Sequence, residues 1–305
     1  MVAFLLRRLV YNTFVLVGVA FIVFALVFLA SDPAAASLPI TAPPDVVDAF
    51  RRAHGYDRPI PIQFVDFLGH ALRGDFGTST RFGQPALSVV LERVPATLVL
   101  ALVGLAVSVL ISFPLGLAAA WNRGRWPDHI ARGIAVVAQA VPNVVLGPLF
   151  ILVFAVTLKI LPVSGSGGVQ YLVLPGIVVG LGSAAGLTRI LRSSLLEVLG
   201  RDYIRTAYAK GLSDRMVLLR HALKNAAIPV VTFLAFDVAA ILSGVIIVEV
   251  IFAYPGMGRL AFQAITNRDL PVIQAFVFVA GLTIVTVNLL LDLVYVVLDP
   301  RIRVS

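Results

Sequence analysis

The sequence predicts an all-α polytopic membrane protein with six transmembrane helices and a small external helical segment after the first of them. Three observations predict it. The 305 residues are 59% hydrophobic and 13% charged, with a mean hydropathy of +0.98, whereas an ordinary soluble domain is roughly 25% charged. Six apolar runs, at 9–30, 96–120, 134–158, 172–193, 228–252 and 274–298, are each long enough to cross a hydrocarbon core of about 30 Å. Inside these runs Leu, Val, Ile, Ala and Phe stand on all sides, without the alternation over about ten residues that marks barrel strands. Lipid offers the backbone no partners, so such runs pair their own groups as helices.

The first run follows Arg7 and Arg8. A basic start, an apolar middle and the small residues of "LASDPAAA" also suit a cleaved leader, but the run exceeds the 7–15 residues of a leader core and favours a retained span over 1–30. The segment 31–95 carries six Arg against six Asp and one Glu and is near neutral. In "PPDVVDAFRRAHG", Val46, Val47, Phe50 and Ala53 recur at helical spacing, with Asp45 to cap the start and Gly55 to end it. "PIQFVDFLGHALRGDFG" repeats the pattern with Phe64, Phe67, Leu68 and Leu72. Two readings fit these short amphipathic helices: a cap packed on the bundle or lying at the interface, or a docking surface for an external partner. The remaining five runs form a core over 96–305. "SGSGG" at 164–168 reads as a short flexible loop.

Net charge is +8, with 24 Lys and Arg against 16 Asp and Glu. Its placement argues against nucleic acid, because the basic residues gather at the ends of apolar runs. One set of connections holds Arg7 and Arg8, then Arg123, Arg125 and Arg132, then the basic residues from 192 to 224, then Arg301 and Arg303. The alternate set holds Lys159, Arg259 and Arg268. The positive-inside rule puts the first set and both termini in the cytoplasm and segment 31–95 outside. The absence of cysteine excludes disulfides, thiolate metal sites and a cysteine nucleophile.

No phosphate-binding G-x-x-x-x-G-K-[ST] and no H-E-x-x-H occurs. His54, His70, His129 and His221 are scattered without metal-ligand spacing. Ser243 lies in an apolar run that offers no histidine as a base. Polar residues inside the spans carry more information, since charges there are expensive and face a cavity or a partner. Asp237 has only Phe233 and Ile241 one turn away and is the candidate to line a polar path. Gln139, Asn143 and Ser183 are further path candidates, with Ser183 inside "GLGSAAG" at 180–186. For Asn143, Asn288 and Glu249 interhelical hydrogen bonding is the competing reading. Asp292 lies near the inner end of the last run. Pro142, Pro148 and Pro175 imply bent or closely packed helices.

Between the fourth and fifth runs lies a dense polar stretch, "YAKGLSDRMVLLRHALKNAAIP". "LEVLGRDYIRTAYAK" reads as helix up to Lys210, Gly211 as its stop, and Ser213 as the cap of a second helix with Asp214 in its first turn. Pro229 marks the start of the next span. A topology signal needs no defined turn. A short helix exposing Tyr203, Ile204, Tyr208 and Leu212 is shaped to enter a groove on a partner.

The stretch "RDYIRTAYAKGLSDRMVLLRHALKNAAIP" resembles the cytoplasmic coupling loop of ABC importer permeases, and more narrowly their dipeptide/oligopeptide/nickel branch. "RGDFGTS", "ERVPATLVLAL", "VEVIFAYPGMGRLAFQAITNRDLPVIQ" and "DLVYVVLDPRIR" agree, and "FLLRRL" resembles the start of the first, B-type permease of the pair. Arg205, Thr206 and Ala207 replace the broader family's Glu-Ala-Ala, as is common in the peptide branch. Asp237 stands where the resemblance implies a neutral polar residue.

The resemblance implies a type I importer fold and a coupling loop at 195–227. Within it, Tyr203, Ile204, Arg205, Thr206, Ala207, Tyr208, Lys210, Gly211, Leu212 and Ser213 would contact an ATPase. It implies a second homologous permease, two separate ATPase subunits carrying ATP and Mg, an external binding protein, and a bacterial or archaeal plasma membrane. No cofactor is expected on this chain itself. Tyr254, Pro255, Gly256, Gly258 and Arg259 would form an external gate or binding-protein contact. Relatives of this branch carry peptides, nickel complexes, glutathione and some sugars. Two other classes remain open from the residues alone: an autonomous secondary carrier, which would favour inverted repeats, and a polytopic membrane enzyme.

Overall fold

A computed structural model describes residues 2–30, 32–36, 38, 41–53 and 55–298, with the backbone alone at 2–9, 23, 26–30, 33, 36 and 291–298. His54, Arg301 and Arg303 fall outside the described residues, as do the side chains of Arg7, Arg8 and Asp292. The described residues form fourteen α-helices and two π-helical turns. Four helical stretches are long and apolar enough to cross a membrane: Ala86–Trp121, Gln170–Leu199, Asp214–Ile251 and Leu270–Leu290. A bent pair makes a fifth. The first run is helix α1, Val2–Ala30, 29 residues long, and Val10–Ile22 is its continuous apolar described stretch.

The chain divides into two compact units, residues 1–96 with 256–290, and 97–255 with 291–305. The sequence-based boundaries at 30 and 95 follow span ends, whereas compactness follows packing. In the first unit α2 (Pro33–Ala36), α3 (Pro44–Ala53), α4 (Ile60–Leu72) and α5 (Ala86–Leu91) form the segment between the first two apolar runs. The two expected amphipathic helices are α3 and α4. Asp45 sits within the first turn of α3 rather than at its cap, and Gly55 ends the helix at φ +69. Phe64 and Phe67 of α4 pack on Phe24 of α1, with ring centroids 5.4 and 5.7 Å apart. α4 is thus packed on α1.

"RGDFGTS" is a tight loop built on Gly74 and Gly77, both at positive φ. It presents the Ser79 hydroxyl, which donates to Asp269 Oδ2 at 2.5 Å, and both residues are buried. Asp269 precedes α14 (Leu270–Leu298) and its other oxygen accepts the Val272 amide. Two distant sequence motifs thus meet in one helix cap. Around it Ala71, Phe76, Val89 and Val90 pack with Leu260 and Ala264 of α13 (Met257–Thr266) and with Val272 of α14.

The second unit begins with α6 (Val94–Trp121), which continues from the first unit, and α9 (Gln170–Leu199) packs directly on it. A Cβ built on Gly180 would lie 2.7 Å from the Gly104 carbonyl oxygen, and one on Gly116 2.8 Å from Leu191. The backbones approach because these positions lack side chains. Glu249 of α12 (Leu223–Ile251) is fully buried and accepts the Thr97 hydroxyl at 2.6 Å. This is the interhelical bond anticipated for Glu249.

The third run is not one straight span. It breaks into α7 (Trp126–Ala140) and α8 (Asn143–Phe150), continued by a π-helical turn at Ile151–Thr157, with a bend of 102°. Pro142 lacks an N–H, and its ring drives Val141 into extended backbone at φ −97, ψ 114. α7 is tied to α9 at its start. The buried Asp128 carboxylate accepts Arg192 Nε at 2.7 Å and Nη2 at 2.8 Å, and also the Gly124 amide at 2.9 Å.

Two outcomes test this packing. Asp128→Ala leaves the Arg192 guanidinium without its carboxylate and is expected to cost about 3–5 kcal/mol, read as a lower unfolding midpoint in detergent. Ala253 terminates α12 at φ +49, with the Tyr254 amide on the Glu249 carbonyl at 2.9 Å. A glycine is free at that φ, so Ala253→Gly is expected to stabilise the fold by about 1 kcal/mol and Ala253→Val to weaken it.

Candidate coupling surface and polar cleft

The polar stretch after α9 folds into a short helix on two anchors. α9 ends at Leu199, and Gly200 and the extended Arg201 interrupt the helix before α10 (Asp202–Ala209). The expectation of unbroken helix to Lys210 is therefore corrected. The break turns the chain so that α10 lays one side on the bundle. Ile204, 1% exposed, and Ala207 pack with Leu195, Val217, Ala222 and Ala226. Ile204 was expected on the outer face. It is instead the anchor, and burying such a side chain contributes roughly 1.5–3 kcal/mol.

Gly211 stops the helix as expected. It sits at φ +79, its amide bonds the Tyr208 carbonyl at 2.9 Å, and the Leu212 amide bonds the Ala207 carbonyl at 3.3 Å. That pair of bonds is the Schellman motif, and half-buried Leu212 packs against the same cluster as Ala207. Ser213 occupies the cap position of α11 (Asp214–Met216) with extended backbone, but its hydroxyl makes no capping bond. From Asp214 the helix runs through a π-helical turn at Val217–Ala222 into α12 without interruption. Pro229 lies inside α12, not at the start of a span. Its missing N–H falls in the second turn of α12, well inside the continuous helix from Asp214, which tolerates it with local adjustment.

What remains outside is a compact polar and aromatic face. Tyr203 and Tyr208 are 43% and 41% exposed. Arg205, Thr206, Lys210, Gly211 and Ser213 are exposed beside them. Partial burial, and then the Asp214 carboxylate, push the Tyr208 phenol above its ordinary range, so it remains a neutral donor at physiological pH. The Arg205–Asp202 pair at 3.7 Å is exposed on both sides and contributes little.

A second feature of this unit is a cleft of about 210 Å³ between α8, α9 and α12, lined by Asn143, Gly182, Ser183, Asp237 and Gly244. The Ser183 hydroxyl donates to Asp237, and Ser108 Oγ lies 2.9 Å from Ser183 Oγ. Three of the four path candidates thus meet. Gln139 does not line the cleft; its Oε1 accepts a bond from Arg189. Arg189 was missed in the sequence, although it stands inside the fourth apolar run. The basic residues that follow it masked the signal. Of the external candidates, Tyr254, Gly256 and Gly258 are buried in this chain, and Pro255 and Arg259 are partly accessible.

Comparison with known proteins agrees with this geometry. The family model described as binding-protein-dependent transport system inner membrane component matches residues 112–304. The corresponding N-terminal membrane-component model matches residues 1–101. The chain is 38% identical over 310 residues to a probable peptide ABC transporter permease of Sinorhizobium fredii, covering 98% of this chain and 99% of that one. It is 38% identical over 304 residues to the glutathione transport system permease of Salmonella choleraesuis, covering 99% of each. A crystal structure of an amino acid ABC transporter with histidines matches with a TM-score of 0.55 at 17% identity, over 68% of this chain and 92% of that chain. That level of identity speaks to the fold alone. Two family models and two nearly full-length relatives agree: the chain belongs to the binding-protein-dependent transport system inner membrane components, the non-catalytic permease subunits of ABC importers.

Proposed function

We propose that this permease forms half of a membrane pathway for short peptides or peptide-like solutes, paired with a second, homologous permease. The names of its relatives, a probable peptide permease and a glutathione permease, support the substrate class. Two ATPase subunits, which carry the ATP and Mg, dock on the coupling helices of the two permeases, one of them on α10, and an external binding protein delivers the solute. This chain itself holds no cofactor. Both termini are cytoplasmic, a placement supported by the distribution of Arg and Lys. Asp237, Ser183 and Asn143 line the path, with Gln139 nearer the cytoplasmic side. Pro255 and Arg259 are the accessible part of the external gate.

The single observation that carries this reading is the construction of α10. Ile204, Ala207 and the Gly211 turn fix it to the bundle, while Tyr203 and Tyr208 stand free. A helix held on one side with two exposed aromatics has the features of an anchor for a groove. Because α10 is seated on α9 and on the root of α12, a push on it moves both walls of the cleft.

Co-purification tests this. The chain is expressed with its partner permease and tagged ATPases, alone or with Tyr203→Ala plus Tyr208→Ala. The double variant is expected to insert and pair normally but to recover ATPases about tenfold less well or worse, since interface aromatics commonly cost 2 kcal/mol or more each on truncation. Equal ATPase recovery by both forms would remove α10 from the coupling role.

A further inference from the structure

Asp237 and Arg189 are ionisable groups of opposite sign in the second unit, and among the described residues each bonds only a neutral side chain. Among the described residues no cation lies within ion-pair distance of Asp237, which receives only the Ser183 hydroxyl. Arg189 donates to Gln139, a neutral amide, and has no carboxylate partner among the described residues. Charged groups within a span are costly in lipid and turn toward water or a partner. The two sites also share a wall. Gly182 and Arg189 are seven residues apart on α9 and so lie on one face of it. Gly182 lines the cleft beside the Asn143 amide, and Arg189 is exposed two turns further on. Between them Gly186 has no side chain, and the Phe233 ring packs over it, 2.6 Å from where a Cβ would stand.

The geometry points to a two-pole site for a short zwitterion, in which Asp237 takes a protonated amine and Arg189 a carboxylate. Ser183, which holds Asp237, stands six residues before Arg189 on α9, a helical rise of about 9 Å. An extended peptide advances about 3.3–3.6 Å per residue, so two or three residues bridge the poles. Asn143 and Gln139, on either side of the bend, offer amides to the peptide backbone, and Phe233 supplies an apolar contact between the charges. A solute with a single charge engages one pole and leaves the other unmet. The inference rests on the reading of this chain as half of a peptide pathway, because a second permease must enclose the open side.

The sequence has no cysteine, so single thiols can be placed in the otherwise unaltered chain. The complete complex is reconstituted in proteoliposomes with Ala240→Cys, exposed in the cleft wall, or Val136→Cys, exposed one turn before Gln139. Each is labelled with a cationic and with an anionic methanethiosulfonate. The cationic reagent is expected to be favoured at position 240 and the anionic one at 136. Asp237→Asn and Arg189→Gln should each shift the preference at their own pole by about tenfold, the effect of one nearby charge in a partly screened cleft. Trialanine at millimolar concentration should slow both reactions at least threefold, and its N-acetylated amide should not.

Absence of labelling, or preferences indifferent to the charge variants, would mean that the partner permease covers these groups, and would overturn the site. Charge-dependent labelling without protection by trialanine would overturn the zwitterion assignment. Failure of the peptide-importer reading shows separately, as ATPases that do not co-purify with a complex whose labelling is still charge-dependent.

Discussion

Bare backbone contact between α6 and α9 is the constraint on which the second unit depends. Gly104, Gly116 and Gly180 let the two helices approach until a methyl group would overlap the neighbour. Lipid supplies no hydrophobic drive for helix association, so close packing and buried hydrogen bonds must provide it. Ser108 beside Ser183, and Thr97 on Glu249, add such bonds to the same bundle. With its position set, α9 presents Ser183 to the cleft at one level and the seat of α10 at its end. One helix thus joins the seat of α10 to the wall of the cleft.

The same economy governs charge. Where a carboxylate is buried, the structure surrounds it with donors: Asp128 with Arg192 and the Gly124 amide, Asp269 with Ser79 and two amides. Glu249 is held against Thr97. These groups fix helices to one another or cap them. Asp237 and Arg189 break the pattern, since each meets only a neutral group. The contrast sets the carboxylates that hold helices together apart from the two groups on which the proposed solute site rests.

Much of this was legible in the sequence because it depends on local chemistry. Gly211 was identifiable as a stop, since a left-handed turn demands it, and α3 and α4 followed from apolar spacing. The break at Val141 and Pro142 was signalled by the proline, but its size of 102° depends on what the two halves pack against. Other features were not legible. Ile204 alternates with polar residues in a way that fits either face of a helix, and only the turn at Gly200 decides which face goes inward. The continuity of Asp214–Ile251 was hidden by Pro229, which reads as a boundary yet is tolerated in a span. "RGDFGTS" and "TNRDLP" are nearly 190 residues apart, and no local rule joins Ser79 to Asp269.

That α10 links nucleotide hydrolysis on separate subunits to a pathway in this chain is the proposal on which the functional reading stands. It is tested most directly by measuring ATP hydrolysis and uptake of labelled trialanine together in proteoliposomes holding the whole complex. The external binding protein, loaded with peptide, is expected to raise hydrolysis severalfold, and uptake is expected to stop when ATP is withheld. Uptake that proceeds without ATP on an ion gradient, with hydrolysis indifferent to the binding protein, would contradict it.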